Sequence, residues 1–275
     1  MTGRDEATQE NSGRTVTSKV LAILAAFEAG RATLTLTDVA ERADLPLPTA
    51  HRLVGELVAW GALERDETGR YAVGLRLWEV AQNASRQLRD TARPFLQDLF
   101  SLTQETAHLA IREGHEALYI DRVYSSKRVP RASRVGGRLP LHATAVGKVL
   151  LAHEETWLQE AYVTRRLEAP TTRTQVHPRR LLDELDVIRE RGFATTYEEV
   201  RPGSASVAVP VLDEGNRAPA AIGLVLLSTQ ADQMTRHLPV LRGVAVRLEP
   251  AVHRWATTHR PSRPGAPDQR PGTSS

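Results

Sequence analysis

Residues 35–63, TLTDVAERADLPLPTAHRLVGELVAWGAL, decide how this chain is read. Thr37 suits the cap of a short helix, with Asp38 favourably placed near the positive end of the helix dipole. Val39, Ala40 and Ala43 then face inward. Asp44-Leu45-Pro46-Leu47 reads as a tight turn, and Pro48 fits the first position of a second helix, where a missing N–H costs nothing. In that helix Ala50, Leu53, Val54 and Leu57 follow the i, i+3, i+4, i+7 spacing of a buried stripe. Gly61 is a natural stop.

Working outward, Thr15 to Gly30 reads as a preceding helix with Val20, Leu21, Leu24, Ala25 and Phe27 as its apolar stripe, Gly30 ending it. Downstream, Ala62 to Arg65 and Arg70 to Val73 read as two short strands around the turn Asp66-Glu67-Thr68-Gly69. Three helices with a tight turn between the last two, followed by a β-hairpin, are the winged helix-turn-helix plan. Its third helix buries one side and leaves Pro48, Thr49, His51, Arg52, Gly55 and Glu56 on the other. A major groove admits such a helix, and residues near its start reach base edges. The DNA-contacting set is therefore Leu47, Pro48, Thr49, His51 and Arg52, joined by Arg70 from the wing. Thr49 and His51 exchange hydrogen bonds with bases, Arg52 grips guanine or a phosphate, and amides at the helix start suit a phosphate oxygen. The competing reading is a packing module with a solvated polar face, in which Arg52 pairs with Glu56.

Composition narrows the classes further. The 275 residues suit one large domain or two modest ones, and 41% hydrophobic with 25% charged residues is ordinary for a globular chain. There is no cysteine, which excludes disulfides, thiolate zinc sites and iron–sulfur clusters. No metal site and no cofactor are expected. The net charge of +3 is too small to argue for nucleic acid by itself, and between Arg14 and Thr91 ten basic side chains meet ten acidic ones. The case for DNA rests on placement. Without a long apolar run or a signal-like start, a cytoplasmic protein is expected.

The remainder reads as a separate α+β domain. Leu75 to about Leu88 is helical, and Ala92 to Gln104 is a further amphipathic helix. Strands are expected at His108–Ile111 and Ala117–Ile120, joined at Glu113-Gly114-His115-Glu116. Helices are expected at Val146–Ala152 and Pro178–Arg191. Two more strands, Ala205–Leu212 and Ala220–Ser228, flank the loop at Glu214-Gly215-Asn216, and a last helix runs from about Ala231 to Trp255. The domains expected are 14–74 for the winged helix-turn-helix, 75–91 for a linker helix and 92–258 for effector binding and oligomerisation. Residues 1–13 and 259–275 read as disordered tails.

Three segments in register carry a resemblance to the IclR family of regulators. They are residues 35–63 with the step His51-Arg52-Leu53, residues 137–152 (GRLPLHATAVGKVLLA) and residues 192–210 (GFATTYEEVRPGSASVAVP). The resemblance implies a GAF-like α/β effector-binding domain after the winged helix-turn-helix, and control by a small metabolite. It also implies homodimers or dimers of dimers, with the helix near Leu75 as connector. Carried over residue by residue, the effector-binding positions are Leu139, Ala145, Val146, Thr196, Ser206, Gly223 and Val225. Family members that bind short acids have more polar groups at several of these places, so the pocket implied here is more apolar. Thr196 and Ser206 supply its polar groups, with amides near Ala145 and Val146 assisting an anion or carbonyl.

No catalytic constellation emerges. Glu198 and Glu199, read as strand neighbours, point to opposite faces and make poor acid–base partners. His142 beside Thr144 reads as structural. His153-Glu154-Glu155 lacks the second histidine of the zinc motif, Gly147-Lys148 lacks the upstream glycine of a phosphate loop, and Gly203-Ser204-Ala205-Ser206-Val207 is not a nucleophile elbow. The function expected is a DNA-binding transcriptional regulator, a repressor by family habit, that is not an enzyme and has operator DNA, a metabolite and itself as partners. The alternatives are a ligand-independent, chromosome-organising DNA binder, and an enzyme whose N-terminal module only mediates association.

Overall fold

The computed structural model describes residues 14–28, 33–82, 86–127, 129–130 and 134–258. The expected tails and the expected stop at Gly30 lie outside the described residues. The chain divides into two compact units, Met1–Ala84 and Ser85–Ser275.

In the first unit α1 spans Val16–Ala25, capped by Thr15, whose hydroxyl accepts from Ser18 N at 3.1 Å. Its buried residue is Ile23, flanked by the partly buried Val20, Leu24 and Phe27, whereas Leu21 is 59% exposed. The apolar stripe therefore corrects the expected one: positions 20, 23, 24 and 27 keep the helical period, and 21 and 25 fall off it. α2 spans Leu36–Ala43 and is capped by Thr35, not Thr37. Thr35 Oγ1 accepts from Asp38 N, and Asp38 Oδ2 accepts from Thr35 N at 2.9 Å. Such a reciprocal box needs an acid three residues past the cap, which Thr35 has and Thr37 lacks.

Asp44, in the left-handed region at φ 53°, ends α2. α3 spans Leu47–Trp60, with Pro48 at its second position and Gly61 at φ 85° closing it. Ala50, Leu53, Val54 and Leu57 are its buried residues, as their spacing requires. β1 (Leu63–Arg65) and β2 (Tyr71–Val73) pair antiparallel with Leu63 opposite Val73. Leu34 adds a bridge to Tyr71 and joins Ile23, Val39, Leu53 and Leu63 in the core. α4 runs Leu75–Gln82.

The second unit begins with α5, Arg86–Thr103, earlier than the start expected at residue 92. Its sheet comprises β3 (Thr106–Glu113), β4 (Glu116–Val123), β5 (Arg138–Pro140), β6 (Ala194–Tyr197), β7 (Ser204–Val211) and β8 (Ala220–Leu227). The strands are antiparallel in the order β5-β4-β3-β8-β7-β6. Strand alternation sorts the residues onto two faces. Leu109, Val207, Ile222 and Leu224 pack with Leu96 and Leu99 of α5 and with Leu241 and Leu248 of α9 (Leu238–Thr258). On the other face Ala110, Ala208 and Ala221 lie under α6 (Ala145–Ala152) and α8 (Pro178–Arg191). Small alanines let α6 approach the sheet closely.

Three departures from expectation have local causes. A helix not read from the sequence, α7 at Thr156–Val163, has a weak apolar rhythm. The last helix is preceded by a 3₁₀ segment over Ser228–His237, interrupted at Gln230. Glu198 and Glu199 lie just past β6 and not within a strand, and Glu198 adopts φ 55°.

Candidate nucleic-acid interface and ligand cavity

On α3, Leu47 is 49% exposed, Pro48, His51 and Arg52 are exposed, and Thr49 is half-buried. Pro48, His51 and Arg52 thus lie on the side of the helix away from its core stripe, with Thr49 at its flank and Leu47 exposed at the N-terminal end of the stripe's own row. Arg52 Nη1 lies 2.6 Å from Glu56 Oε1, one turn on, with both side chains about 60% exposed. Exposed pairs of this kind hold only weakly, so a phosphate or base can compete for the guanidinium. The start of α3 is poorer in anion-binding amides than its sequence suggests. Pro46 and Pro48 have no N–H, and Thr49 and Ala50 donate theirs to Pro46 O.

Arg70 does not stand free in the wing. Its Nε donates to Thr33 Oγ1 at 3.0 Å and its Nη2 to Thr33 O at 3.1 Å, tying the hairpin to the strand-like entry of α2. The wing tip carries Asp66 and Glu67. The Asp66 carboxyl accepts from Thr68 and Arg70, which holds its pKa below the usual carboxylate range. The exposed wing cation is Arg65, lying over the Tyr71 ring at 5.7 Å, which the sequence reading did not single out.

In the second unit a cavity opens where the α6-facing side of the sheet runs past the start of α6. It is partly open to solvent. Leu139, Ala145, Val146, Thr196, Ser206 and Val225 all line it. Thr196 Oγ1 and Ser206 Oγ lie 2.6 Å apart on paired strands. Gly223 does not line the cavity; a Cβ there would sit 2.9 Å from His108 Nε2, so this glycine gives the imidazole its seat.

His108, Tyr119 and Arg122 also line it and were missed from the sequence. They come from β3 and β4, far from the quoted motifs, and only register brings them in: His108 pairs with both Arg122 and Gly223. His108 is 2% exposed, and its Nδ1 has no hydrogen-bond partner. Burial, aided by the nearby Arg122 charge, pushes its pKa down to about 3, so the ring is neutral at physiological pH.

Behind the cavity lies a buried ionic node. Lys148 on α6, 1% exposed, donates to Glu184 Oε1 of α8 at 2.7 Å and to both carboxyl oxygens of Glu199 at 2.9 Å. Glu199 lines the cavity, and burial raises its pKa against the pull of Lys148. Glu198 turns the other way, accepting from Gly203 N at 2.8 Å and facing Arg173 at 3.2 Å. The Thr171 and Thr174 hydroxyls donate to the carbonyls of this bend, fixing it beside the cavity.

The other polar candidates are structural. His142 bonds the Tyr162 hydroxyl through Nδ1 and Glu168 O through Nε2, each at 2.8 Å, and burial lowers its pKa. His153, capping the end of α6, has its Nδ1 2.9 Å from Val149 O. Among the described residues no group of three or more metal-ligating side chains gathers, and no helix is long and apolar enough to cross a membrane.

Comparison with known proteins matches both units. A family model described as the IclR helix-turn-helix domain covers residues 16–67, and one described as the bacterial transcriptional regulator IclR C-terminal domain covers residues 80–247. The HTH-type transcriptional regulator XynR of Escherichia coli is 34% identical over 222 residues, 78% of this chain and 86% of that protein. The transcriptional repressor IclR of Escherichia coli is 33% identical over 199 residues, 69% of this chain and 71% of that protein. Among solved structures, an IclR homolog from Microbacterium hydrocarbonoxydans complexed with 4-hydroxybenzoate superposes with a TM-score of 0.81 at 30% identity, covering 87% of this chain and all of that one.

Proposed function

Because this chain belongs to the IclR family of transcriptional regulators, we propose that α3 reads operator DNA and that a small molecule filling the cavity beside α6 sets how tightly it does so. The observation that carries the DNA half is the division of α3 into a buried stripe and an exposed side bearing Pro48, His51 and Arg52, with Thr49 at its flank and Leu47 exposed at the N-terminal end. Laid in a major groove, Thr49 and His51 meet base edges and Arg52 exchanges Glu56 for guanine or phosphate. Arg70 acts on DNA indirectly, holding the wing through Thr33.

The effector half rests on Leu139, Ala145, Val146, Thr196, Ser206 and Val225 lining one cavity, with Gly223 seating His108 beneath it. An apolar wall with a few polar groups is the usual form of a small-molecule site. The 4-hydroxybenzoate bound by the structural relative makes aromatic acids the first class to test. The effector works through differential affinity for the DNA-competent arrangement. The protein acts as a repressor in the cytoplasm, as a homodimer or dimer of dimers; the exposed Leu75 and Val80 of α4 offer apolar surface for self-association. The DNA-reading and effector-binding functions, expected over 14–74 and 92–258, divide within the 75–91 segment, where α4 (Leu75–Gln82) gives way to α5 (Arg86–Thr103).

Genome-wide mapping of bound sites tests this reading, since genes beside the sites name the pathway and candidate ligands. A small set of shared palindromic sites is expected. Uniform coverage without sequence preference would instead support a chromosome-organising role.

A further inference from the structure

We propose that the cavity reads a two-ended ligand, taking an acid group between His108 and Arg122 and a neutral hydrogen-bonding group at the Thr196–Ser206 hydroxyl pair. This rests on the reading that the cavity is the effector site. Sheet register sets the two ends apart. Ser206 of β7 pairs with Thr196 of β6 and Val225 of β8, while His108 of β3 pairs with Arg122 of β4 and Gly223 of β8. β7 and β3 are two strand spacings apart, or about 10 Å, and the offset from 225 to 223 adds about 7 Å along the strand. Between the ends the wall is Val225 from below with Val146 and Leu139 beside it. A polar–apolar–polar strip of this length suits a single six-membered ring carrying a substituent at each end.

Charge assigns which end is which. Arg122 is the cation among the lining residues and is 4% exposed, so its field acts where water screens little. Beside it His108 presents an unpartnered Nδ1 on a ring held in place by Gly223 below and the Tyr119 ring 5.2 Å away. Choosing the tautomer with hydrogen on Nδ1 makes it a donor to a carboxylate oxygen. At the far end the hydroxyls of Thr196 and Ser206 use one O–H on each other, leaving a single O–H and lone pairs for a neutral group. Glu199, three residues past Thr196 and also in the wall, disfavours an acid there.

Calorimetric titration of the full-length protein with 4-hydroxybenzoate, benzoate and 4-hydroxybenzamide tests the assignment. The wild type should bind 4-hydroxybenzoate most tightly; losing the acid should weaken binding about ten-fold or more, the scale of a buried hydrogen bond to a charged group, and losing the hydroxyl roughly three- to ten-fold, the scale of a neutral one. Thr196→Val should abolish the preference for 4-hydroxybenzoate over benzoate alone. His108→Leu and Arg122→Gln should abolish the preference over 4-hydroxybenzamide alone, and Arg122→Lys should restore part of it. Equal wild-type affinity for the acid and the amide overturns the proposal, whatever the variants do, and so does a swapped pattern among the variants. It is equally overturned if none of the three probes binds a protein that still selects its genomic sites; absence of such sites tells against the regulator reading itself.

Discussion

A histidine that cannot take a proton where it sits makes the folded state sensitive to acid. The folded-state pKa of His108 is about 3, below the ordinary histidine value of 6.5, so the unfolded chain binds more protons between those values. Stability is thus fully present above about pH 6.5 and is lost as pH falls through it, by about 2 kcal/mol at pH 5 from this residue alone. His142, His153 and His237 are shifted the same way, mainly by burial, and add to the slope. Urea unfolding at pH 7 and pH 5 should show the midpoint falling, and His108→Leu should flatten the trend. Lys148 is the other residue whose burial has consequences. Lys148→Met leaves the Glu199 and Glu184 carboxylates without their shared cation and should cost about 3 kcal/mol or more, read as a lower urea midpoint. Glu199→Gln, which keeps acceptors on the ammonium, should cost less.

Helices here are placed by single contacts at their ends. The start of α6 forms the cavity rim only because Gly147 lets it press on the 3₁₀ turn Leu141–Ala143: an added Cβ would lie 2.4 Å from Leu141 O. Gly147→Ala should therefore push α6 off its seat, costing about 3 kcal/mol, and weaken ligand binding more than DNA binding. For α2 the capping box predicts that Thr35→Ala destabilises the first unit by about 1 kcal/mol while Thr37→Ala does little; thermal melts of both variants check this. The stripe of α3 was legible because Ala50, Leu53, Val54 and Leu57 recur at one period within a helix of 14 residues. Position 21 was misplaced on α1 because an unbroken apolar run offers several stripes, and packing chose Ile23. α7 went unread because it is only eight residues long and its apolar residues spread around the helix, with Gln159 buried and Trp157 exposed.

Across the whole molecule, the helix-turn-helix and the cavity lie in separate compact units. Footprinting should show paired half-sites about 10 base pairs apart, or a multiple of that, if two copies of α3 read a palindrome. Arg52→Ala should weaken operator binding about ten-fold in gel-shift assays, without changing ligand titrations, because it lies in the first unit and the cavity in the second. The reverse separation is expected for Thr196→Val.

The amino-acid order alone determined the helix-turn-helix, the alternating strands of the sheet and the family signatures, because periodicity, caps and turns act over a few residues. It also pointed to Leu139, Ala145, Val146, Thr196 and Ser206, through segments recognisable as local strings. Tertiary structure decided the rest of the cavity: His108 and Arg122 lie about a hundred residues before Gly223 in the chain, and only strand pairing sets them side by side. It likewise decided that Lys148 points inward to two carboxylates and that Arg70 is bound to Thr33. Burial and charge pairing depend on neighbours distant in sequence, and no local pattern records them.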